Sequence, residues 1–378
     1  MTESKRMDLK THFNSVLDDT LERNLNDTPK DYFSWGRDSR HRLDNSEKMP
    51  WLPQIKQFTL RKIASKIKSR LKRKRYSKKD VVANFNEKYS CFENSYQLMS
   101  DNYSRQIFTE LILMAIVKEN RMRLSSFSKD YIDSYEFASK EILNSKDYLN
   151  IYDWELGKVS LGNPKISIFT SPVLLAMYNV GRLYRYEKND VIVEVNKGDT
   201  VIDAGVGWGD TTIYLAALAD PKSGGKSYAF DILEEGMNAL SEQCKINKEI
   251  NNITQVLKAL SDKDDETVNI SSPSPGARIV KEISSKQVQT ITIDSILKDE
   301  KLERIDFIKM DIEGAEIPAL KGASRAIQDF KPKLAISVYH KWDDLLEIPK
   351  LINSLRKDYK MYLDCTTGFG GEAVLYCI

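Results

Sequence analysis

The sequence predicts an α/β protein, with a largely parallel sheet covered by helices on both faces and a mainly helical region before it. Short β-branched runs recur through the C-terminal half, and helix-like stretches lie between most of them. Strands that alternate with helices are typical of parallel sheets. The predicted strands are 191–195, 200–204, 227–231, 256–260, 306–310 and 334–338, and the predicted helices are 210–219, 234–250 and 313–328.

The last two predicted strands follow a different pattern. The runs YLDC (362–365) and AVLYCI (373–378) are separated by a glycine-rich turn over residues 368–371. Two strands joined in this way form an antiparallel pair. An antiparallel pair at this point is not the usual ending of a dinucleotide-binding sheet.

Composition divides the chain into three regions, 1–80, 81–180 and 181–378. Residues 1–55 are polar and irregular, and the sequence assigns them no fold. The region 81–180 is predicted to be mainly helical, with one helix starting near Asp101 and further helix and loop continuing to about 180. The region 181–378 contains the predicted sheet.

Overall composition is typical of a soluble globular protein, with 41% hydrophobic and 30% charged residues. The longest strongly apolar run, 111–117, is far shorter than the roughly 20 residues of a membrane-spanning helix. Residues 1–19 lack the apolar core of a signal peptide, so we expect a cytoplasmic protein. The four cysteines are far apart and lack metal-ligand spacing, which predicts reduced thiols and no zinc site.

The basic residues are concentrated in one segment. Eleven of the 57 Lys and Arg residues lie in 61–79, which has no acidic residue, and the remaining 46 face 55 acidic residues elsewhere. Residues 59–75 place apolar side chains at helical spacing with cations around them, which predicts a basic amphipathic helix. Three interpretations stay open: peripheral contact with the inner face of an anionic membrane, binding of nucleic-acid phosphates, or a solvated helix packed on the domain.

The stretch VIDAGVGWGDTT, residues 201–212, combines a predicted strand, an acid and three glycines at alternate positions. Glycines allow positive φ and close approach of a ligand to the main chain, and the following helix start attracts electron-rich groups. The spacing differs from the G-x-G-x-x-G pattern of nicotinamide-binding folds, because Asp210 stands three residues after Gly207. A pyrophosphate-binding loop is therefore not predicted.

A second acid, Asp231, ends the next predicted strand and lies 22 residues beyond Gly209. A carboxylate at that position can accept two hydrogen bonds from a ribose diol. The two acids and three glycines together predict a site for a nucleoside-containing ligand without a pyrophosphate. S-adenosylmethionine is the candidate cofactor, because Asp203 can face a cationic or amine group. A tight turn without a ligand is the alternative.

The C-terminal half resembles the FkbM-type S-adenosylmethionine-dependent methyltransferases. The resemblance rests on GDTVIDAGVGWGDTTIYLA (198–216), KALSDKDDE (258–266), IDFIKMDIEGAEIPALKGA (305–323) and PKLAISVYHKWDDLLEIPKLI (332–352). It covers about 180–378, with a weaker likeness over 95–180. The resemblance implies a Rossmann-like, seven-stranded methyltransferase sheet with an antiparallel last strand. The usual Glu-Pro after the second strand is Asp231-Ile232 here.

The resemblance also implies positions for the cofactor. The methionine portion would lie near Asp203, Gly205 and Gly207, the ribose at Asp231, and the adenine between residues that follow the third strand. The implied cofactor-binding residues are Asp203, Gly205, Gly207, Trp208, Asp231, Ser261 and Asp262.

Two residues at predicted strand ends are candidates for the acceptor side. Asp311 follows 306–310 and His340 follows 334–338, so both would face one crevice. A hydroxyl acceptor has a high pKa, and a base beside it would help methyl transfer. The spacing of Asp311, Glu313 and Glu316 permits a divalent cation, but we predict no metal. The alternatives are a structural histidine and acids that accept backbone N–H groups or cap a helix.

The expected function is methylation of a sugar hydroxyl of a glycan or saccharide by S-adenosylmethionine. The segment MDIEGAE has no Pro pair and no stacking aromatic, so we do not expect a nucleic-acid partner. The open alternatives are another small-molecule or lipid hydroxyl as acceptor, a nicotinamide oxidoreductase, and a non-catalytic module that binds a membrane or nucleic acid.

Overall fold

The structure is a computed structural model of the chain and describes residues 8–26, 78–117, 124–126, 129–152, 154–180, 183–271, 273–274, 276–367 and 371–378. The helices in chain order are α1 Leu9–Asn26, α2 Lys78–Glu87, α3 Tyr89–Leu98, α4 Asn102–Val117, α5 Lys129–Leu143, α6 Pro172–Asn179, α7 Asp210–Ala219, α8 Glu234–Ile246, α9 Ile293–Asp299, α10 Glu316–Lys321, α11 Ser324–Phe330 and α12 Asp344–Leu355. The strands are β1 Tyr148–Ile151, β2 Trp154–Leu161, β3 Ile166–Thr170, β4 Tyr186–Lys188, β5 Val191–Val193, β6 Thr200–Ala204, β7 Lys226–Asp231, β8 Ile253–Leu257, β9 Ala259–Leu260, β10 Thr267–Ile270, β11 Ile279–Val280, β12 Gln287–Ile291, β13 Phe307–Met310, β14 Lys333–Ser337, β15 Met361–Cys365 and β16 Ala373–Cys377.

A seven-stranded, mostly parallel sheet forms the centre of the described residues, in the order β15-β16-β14-β13-β6-β7-β8. The pairs β14–β13, β13–β6, β6–β7 and β7–β8 are all parallel. β16 runs antiparallel to both of its neighbours, β14 and β15. The prediction of an α/β fold with a largely parallel sheet covered by helices is confirmed, and the C-terminal ends of β6, β7 and β13 meet at one edge.

Side chains on the two faces of the sheet pack into two separate hydrophobic cores, because successive residues of a strand point to opposite faces. On β6, Ile202 and Ala204 belong to a core that includes residues of α1–α4 and α10–α12. Val201 belongs to the other core, with residues of α5–α8. Helices on both faces bury the sheet and hold its strand ends in fixed positions.

The region 81–180 contains a sheet that the sequence did not predict. Among its described residues, five helices, α2–α6, lie wholly or partly there, and α4 starts at Asn102, next to the predicted Asp101. Between α5 and α6, however, β1, β2 and β3 form an antiparallel sheet. Leu156 and Ile151 of this sheet pack against Trp208, so the sheet closes over the glycine loop. The predicted basic helix, 59–75, lies outside the described residues.

Three further elements differ from their predicted form. The run 191–195 contributes β5 to a hairpin with β4 instead of joining the main sheet. The run 256–260 divides into β8 and β9, and β9 joins a smaller sheet with β12. The helix predicted over 313–328 is interrupted at Gly322, where an added Cβ would lie 1.9 Å from the Ser261 carbonyl oxygen.

The described helices include none that is both long enough and apolar enough to cross a membrane. All four cysteines are free thiols.

Candidate functional site

A cavity of about 130 Å³ opens over the C-terminal ends of β6, β7 and β13. Concave walls with a few charged groups among apolar ones are typical of small-ligand sites. The wall combines apolar side chains with a few charged ones. Its lining residues are Tyr152, Gly205, Gly207, Phe230, Asp231, Ile232, Leu233, Lys258, Ala259, Leu260, Ser274, Ala277, Ile279, Asp311, Ile312, Glu313 and Ala315.

The three glycines of the loop after β6 have different surroundings. All have positive φ: +89° at Gly205, +56° at Gly207 and +79° at Gly209. A Cβ on Gly205 would lie 1.9 Å from the Asp311 carbonyl oxygen, and one on Gly209 would lie 2.6 Å from Leu240 Cα. A Cβ on Gly207 would meet no atom within 4 Å. Gly205 and Gly209 are therefore required for close packing of the main chain, whereas the main chain at Gly207 is open to the cavity.

Asp231 lies in the cavity wall, where the sequence places a ribose-binding acid. Its Oδ2 accepts a hydrogen bond from the Gly207 N–H at 3.0 Å, and its Oδ1 accepts one from the Leu233 N–H at 2.9 Å. Burial raises the pKa of this carboxyl, although the backbone hydrogen bonds partly oppose the rise. Each oxygen retains lone-pair capacity for a ligand donor. Asp231 thus both holds the glycine loop in place and faces the cavity.

Asp203 does not line the cavity, which corrects the prediction that it faces the cofactor. Its carboxylate is fully buried, forms an ion pair with Lys309 at 2.9 Å, and accepts a hydrogen bond from the Thr212 hydroxyl at 2.5 Å. The Lys309 ammonium also donates to the carbonyl oxygens of Ala204 and Gly205. Asp203 therefore supports the glycine loop from behind through Lys309.

Three other predicted cofactor residues also lie outside the cavity wall. Trp208 packs on Trp154 of the three-stranded sheet, with 5.3 Å between ring centroids. The Ser261 carbonyl lies against Gly322, and Asp262 is exposed. The wall at that end is formed by the preceding residues, 258–260, and by Ser274, Ala277 and Ile279. The cavity wall at that end thus precedes Ser261 and Asp262 in the chain, and the adenine contacts implied for these two residues stay a prediction.

Asp311 lies in the cavity wall and is surrounded by donors. Tyr184 donates to its Oδ2 at 2.8 Å, Tyr339 donates to its Oδ1 at 3.1 Å, and His340 Nε2 lies 3.1 Å from Oδ1. Burial acts to raise the pKa of Asp311, but the hydrogen bond and charge of His340, with help from Lys309, hold it well below its usual range. Asp311 is therefore a fixed anion and a weak base.

His340 lies between two carboxylates. Its Nδ1 is 2.9 Å from Glu316 Oε1, and its Nε2 faces Asp311. Burial opposes the charged ring, but the hydrogen bonds and charges of Asp311 and Glu316 prevail and raise the pKa of His340 to about 11. An imidazolium at neutral pH has no lone pair for a proton. In this charged form the residue positions Asp311 and Glu316. The role of His340 as a base stays a prediction.

The protonation of His340 can be measured directly, because the chain has only three histidines. We expect the ring ¹⁵N signals that disappear in His340→Gln to show a doubly protonated imidazole up to pH 9. The pKa of His340 is higher in the folded chain, about 11, than in the unfolded chain, about 6.5. Protonation of His340 therefore adds its full contribution to the free energy of unfolding below pH 6.5, and this contribution is lost as the pH rises towards 11. The stability difference between wild type and His340→Gln should shrink over that range. A ring that titrates near pH 6.5 would contradict this assignment.

Glu316 and Asp344 complete a buried cluster behind the cavity. Glu316 Oε1 accepts from the Ile312 N–H at 3.0 Å, and Asp344 accepts from the Lys341 N–H at 2.6 Å. Burial and the charge of Glu316 raise the pKa of Asp344 to about 6. Donor atoms of Glu316, His340 and Asp344 lie within 4.8 Å of one another, a spacing that could hold a metal ion. The expectation of no metal stays a prediction.

The sequence reasoning missed four residues of the site: Tyr152, Tyr184, Lys309 and Tyr339. Lys309 has a visible signal, since a lysine inside the apolar run DFIKM requires a buried acidic partner. Tyr339 adjoins His340. Tyr152 and Tyr184 carry no such signal, because they come from segments far away in the chain.

Comparison with known proteins agrees with the sequence resemblance. Residues 193–361 match the family model described as the methyltransferase FkbM domain, which confirms the resemblance for this part of the chain. No curated protein matches the chain.

Several solved structures are similar. A methyltransferase FkbM from Methylobacillus flagellatus KT is 21% identical, with a TM-score of 0.49, and the match covers 78% of this chain and 60% of that chain. Fibrillarin from Aeropyrum pernix with S-adenosyl-L-methionine is 12% identical, with a TM-score of 0.32 and coverage of 49% and 69%. An rRNA methylase from Streptococcus thermophilus is 17% identical, with a TM-score of 0.31 and coverage of 48% and 87%.

Proposed function

We propose that this protein, which carries an FkbM methyltransferase domain at residues 193–361, uses S-adenosylmethionine to methylate a hydroxyl group. The proposed acceptor is a sugar hydroxyl of a glycan or saccharide. The observation that carries the cofactor assignment is the open space in front of Gly207, in a cavity whose wall is mainly apolar and acidic.

The charges of the wall favour a cationic ligand over a pyrophosphate. Asp231, Asp311 and Glu313 line the cavity, against one lysine, Lys258. S-adenosylmethionine carries a sulfonium and an ammonium group, whereas a dinucleotide would bring two negative phosphates close to these acids. The anion Asp311, at the C-terminal end of β13, is suited to the cationic part of the cofactor.

The remaining wall suits a nucleoside. Asp231 offers a carboxylate to a ribose diol, and the apolar side chains beyond it give a dry surface for a purine ring. Residues of β9 form this surface together with Ala277 and Ile279. The cofactor would then cross the sheet edge from the methionine end at Asp311 to the adenine end near Ala259 and Ile279.

The acceptor class rests on the resemblance and on one surface feature. Trp342, two residues beyond His340, is 72% exposed, and we propose its aromatic ring as a packing surface for the C–H groups of a sugar. Lys88 lies over the same ring at 5.3 Å. A lipid hydroxyl or another small-molecule hydroxyl is the alternative acceptor, and a non-catalytic binding module is the alternative function.

Calorimetric titration of the full chain tests the cofactor assignment. We expect S-adenosylmethionine to bind the wild type, and Asp231→Ala to weaken binding at least tenfold, because it removes the ribose acceptor and releases the Gly207 amide. Asp299→Ala is the matched control, since Asp299 is exposed at the end of α9 and lies outside the cavity wall. Binding of NADH in place of S-adenosylmethionine would contradict the proposal, and equal binding by Asp231→Ala would remove the ribose role.

A further inference from the structure

The hairpin of β1 and β2 contributes a tyrosine to the cavity wall. Ile151 pairs with Trp154 across the hairpin, and Tyr152 is the first of the two residues between them. Tyr152 lines the cavity, although it lies well before the methyltransferase FkbM domain at residues 193–361. Part of the cavity wall therefore comes from the preceding region of the chain.

The backbone at Tyr152 has a conformation that tyrosine rarely adopts. Its φ is +54°, in the left-handed region. Two-residue hairpin turns with positive φ favour asparagine, aspartate and glycine, because larger side chains cost energy there. The turn itself therefore gives no reason for a tyrosine. Strained residues of this kind cluster at functional sites, and Tyr152 lies in the wall of a cavity.

The ring of Tyr152 packs against two apolar clusters. One cluster includes Leu233, Ala259 and Ala277, which line the end of the cavity proposed for the purine. The other cluster includes Trp208 of the glycine loop. The side chain is only partly buried, so part of its surface packs on the protein while another part borders the cavity. The ring therefore lies between the glycine loop and the purine end.

The hydroxyl end of Tyr152 lies near the acid proposed for the ribose. Burial raises the pKa of this hydroxyl, and the negative charges of Asp231 and Glu235 raise it further. A charge shifts the pKa of another group in this way when the two lie close together. The Tyr152 side chain therefore lies beside both the purine end of the cavity and Asp231.

The three-stranded sheet that carries Tyr152 is fastened to α8 and to the glycine loop. Gln243 Nε2 donates to the carbonyl oxygens of Phe169 at 2.7 Å and Trp208 at 3.1 Å, and its Oε1 accepts from the Phe169 N–H at 3.0 Å. Asn247 binds the Ser167 N–H and carbonyl in the same way, at 2.9 and 2.6 Å. These contacts hold the sheet in place before a ligand binds, which lowers the cost of ordering it.

We propose that Tyr152 forms the outer wall of the nucleoside site and packs its ring against the adenosine part of S-adenosylmethionine, an assignment that rests on the proposed function. An aromatic ring binds a purine or ribose through its face, by dispersion and exclusion of water, and needs no hydrogen bond for this contact. The cofactor site then extends beyond the methyltransferase FkbM domain and includes the hairpin of β1 and β2.

Binding of two ligands that share the adenosine part tests this contact. 5′-Methylthioadenosine has the adenosine of S-adenosylmethionine but lacks its amino-acid part. Tyr152→Ala removes the ring and should weaken the binding of both ligands at least tenfold, by factors that agree within threefold, because both lose the same contact. Tyr152→Phe keeps the ring and should bind both within threefold of the wild type. Calorimetric titration of the full chain measures the affinities, and a tenfold loss in Tyr152→Phe would contradict the ring contact.

Tyr148→Ala is the matched control for distortion of the sheet. Tyr148 lies on β1, outside the cavity wall, and its hydroxyl donates to the Ile142 carbonyl at 3.1 Å. This variant should leave both affinities unchanged. Unchanged binding by Tyr152→Ala, an equal loss in Tyr148→Ala, or a loss confined to S-adenosylmethionine would overturn the Tyr152 assignment alone, as would a wild type that binds only S-adenosylmethionine. A wild type that binds neither ligand would overturn the proposed function, and the assignment with it.

Discussion

Replacing Lys309 with methionine is expected to lower the free energy of unfolding by about 3–5 kcal/mol, the usual cost of leaving a buried charge without its partner. Methionine matches the length of the lysine stem, so packing changes little. The remaining Asp203 carboxylate would keep the Thr212 hydroxyl as its neighbour and lose its counter-ion. Both charged side chains are buried within the sheet, which makes the loss of one partner costly.

The same substitution should also loosen the glycine loop. Lys309 Nζ donates to the carbonyl oxygens of Ala204 and Gly205, where β6 passes into the loop. The Ala204 carbonyl would keep the Asp311 N–H as a donor, but the Gly205 carbonyl would lose Lys309, and an unsatisfied buried group costs about 1–3 kcal/mol. We therefore expect weaker cofactor binding as well as lower stability in Lys309→Met.

Denaturant unfolding of four proteins measures the effect: wild type, Asp203→Asn, Lys309→Met and the double variant. The double variant removes both charges, so it should recover at least half of the stability lost in Lys309→Met. If Lys309→Met unfolds within about 1 kcal/mol of the wild type, the ion pair does not support the loop as the structure indicates.

The sequence predicted the strands of the central sheet well, because a buried parallel strand appears as a short β-branched run regardless of its neighbours. The runs that contain β6, β7, β13 and β14 all came within a residue or two of their observed bounds. The failures have a different origin. β1 and β2 lack a regular alternation of buried and exposed residues, and the sheet packs on α5 and α8 through contacts that no local pattern shows.

Site residues were predicted by position, but their roles were not. Asp231 and Asp311 were predicted to lie near each other because each stands at the C-terminal end of a parallel strand, and both line the cavity. It could not show that Asp203 points away, because that depends on Lys309, 106 residues later in the chain. The same limit applies to His340, whose pKa is set by Asp311 and Glu316. A single sequence shows which acids and bases lie at the ends of strands. The hydrogen bonds and ion pairs among those side chains, which set their pKa values, are visible only in the folded structure.

A leucine at Gly207 should abolish cofactor binding while leaving the protein folded. The side chain would extend into the cavity, since a Cβ there meets no atom within 4 Å, and the lining includes the Gly207 main chain itself. We expect the affinity for S-adenosylmethionine to fall at least 100-fold, which corresponds to about 2.7 kcal/mol of binding free energy.

The effect of Gly207→Leu on backbone conformation can be separated experimentally from its effect on the space available to the cofactor. Gly207 has a φ of +56°, so a side chain there costs about 1–2 kcal/mol of stability even without a clash. Gly224 has a φ of +82°, also meets nothing within 4 Å, and lies outside the cavity wall. Gly224→Leu should therefore show a comparable decrease in thermal stability with unchanged cofactor affinity.

Calorimetry and thermal melts of both variants distinguish loss of ligand space from backbone strain. If Gly207→Leu binds S-adenosylmethionine as tightly as Gly224→Leu, the ligand does not lie against this loop. An equal loss of affinity in both would instead attribute the effect to backbone strain.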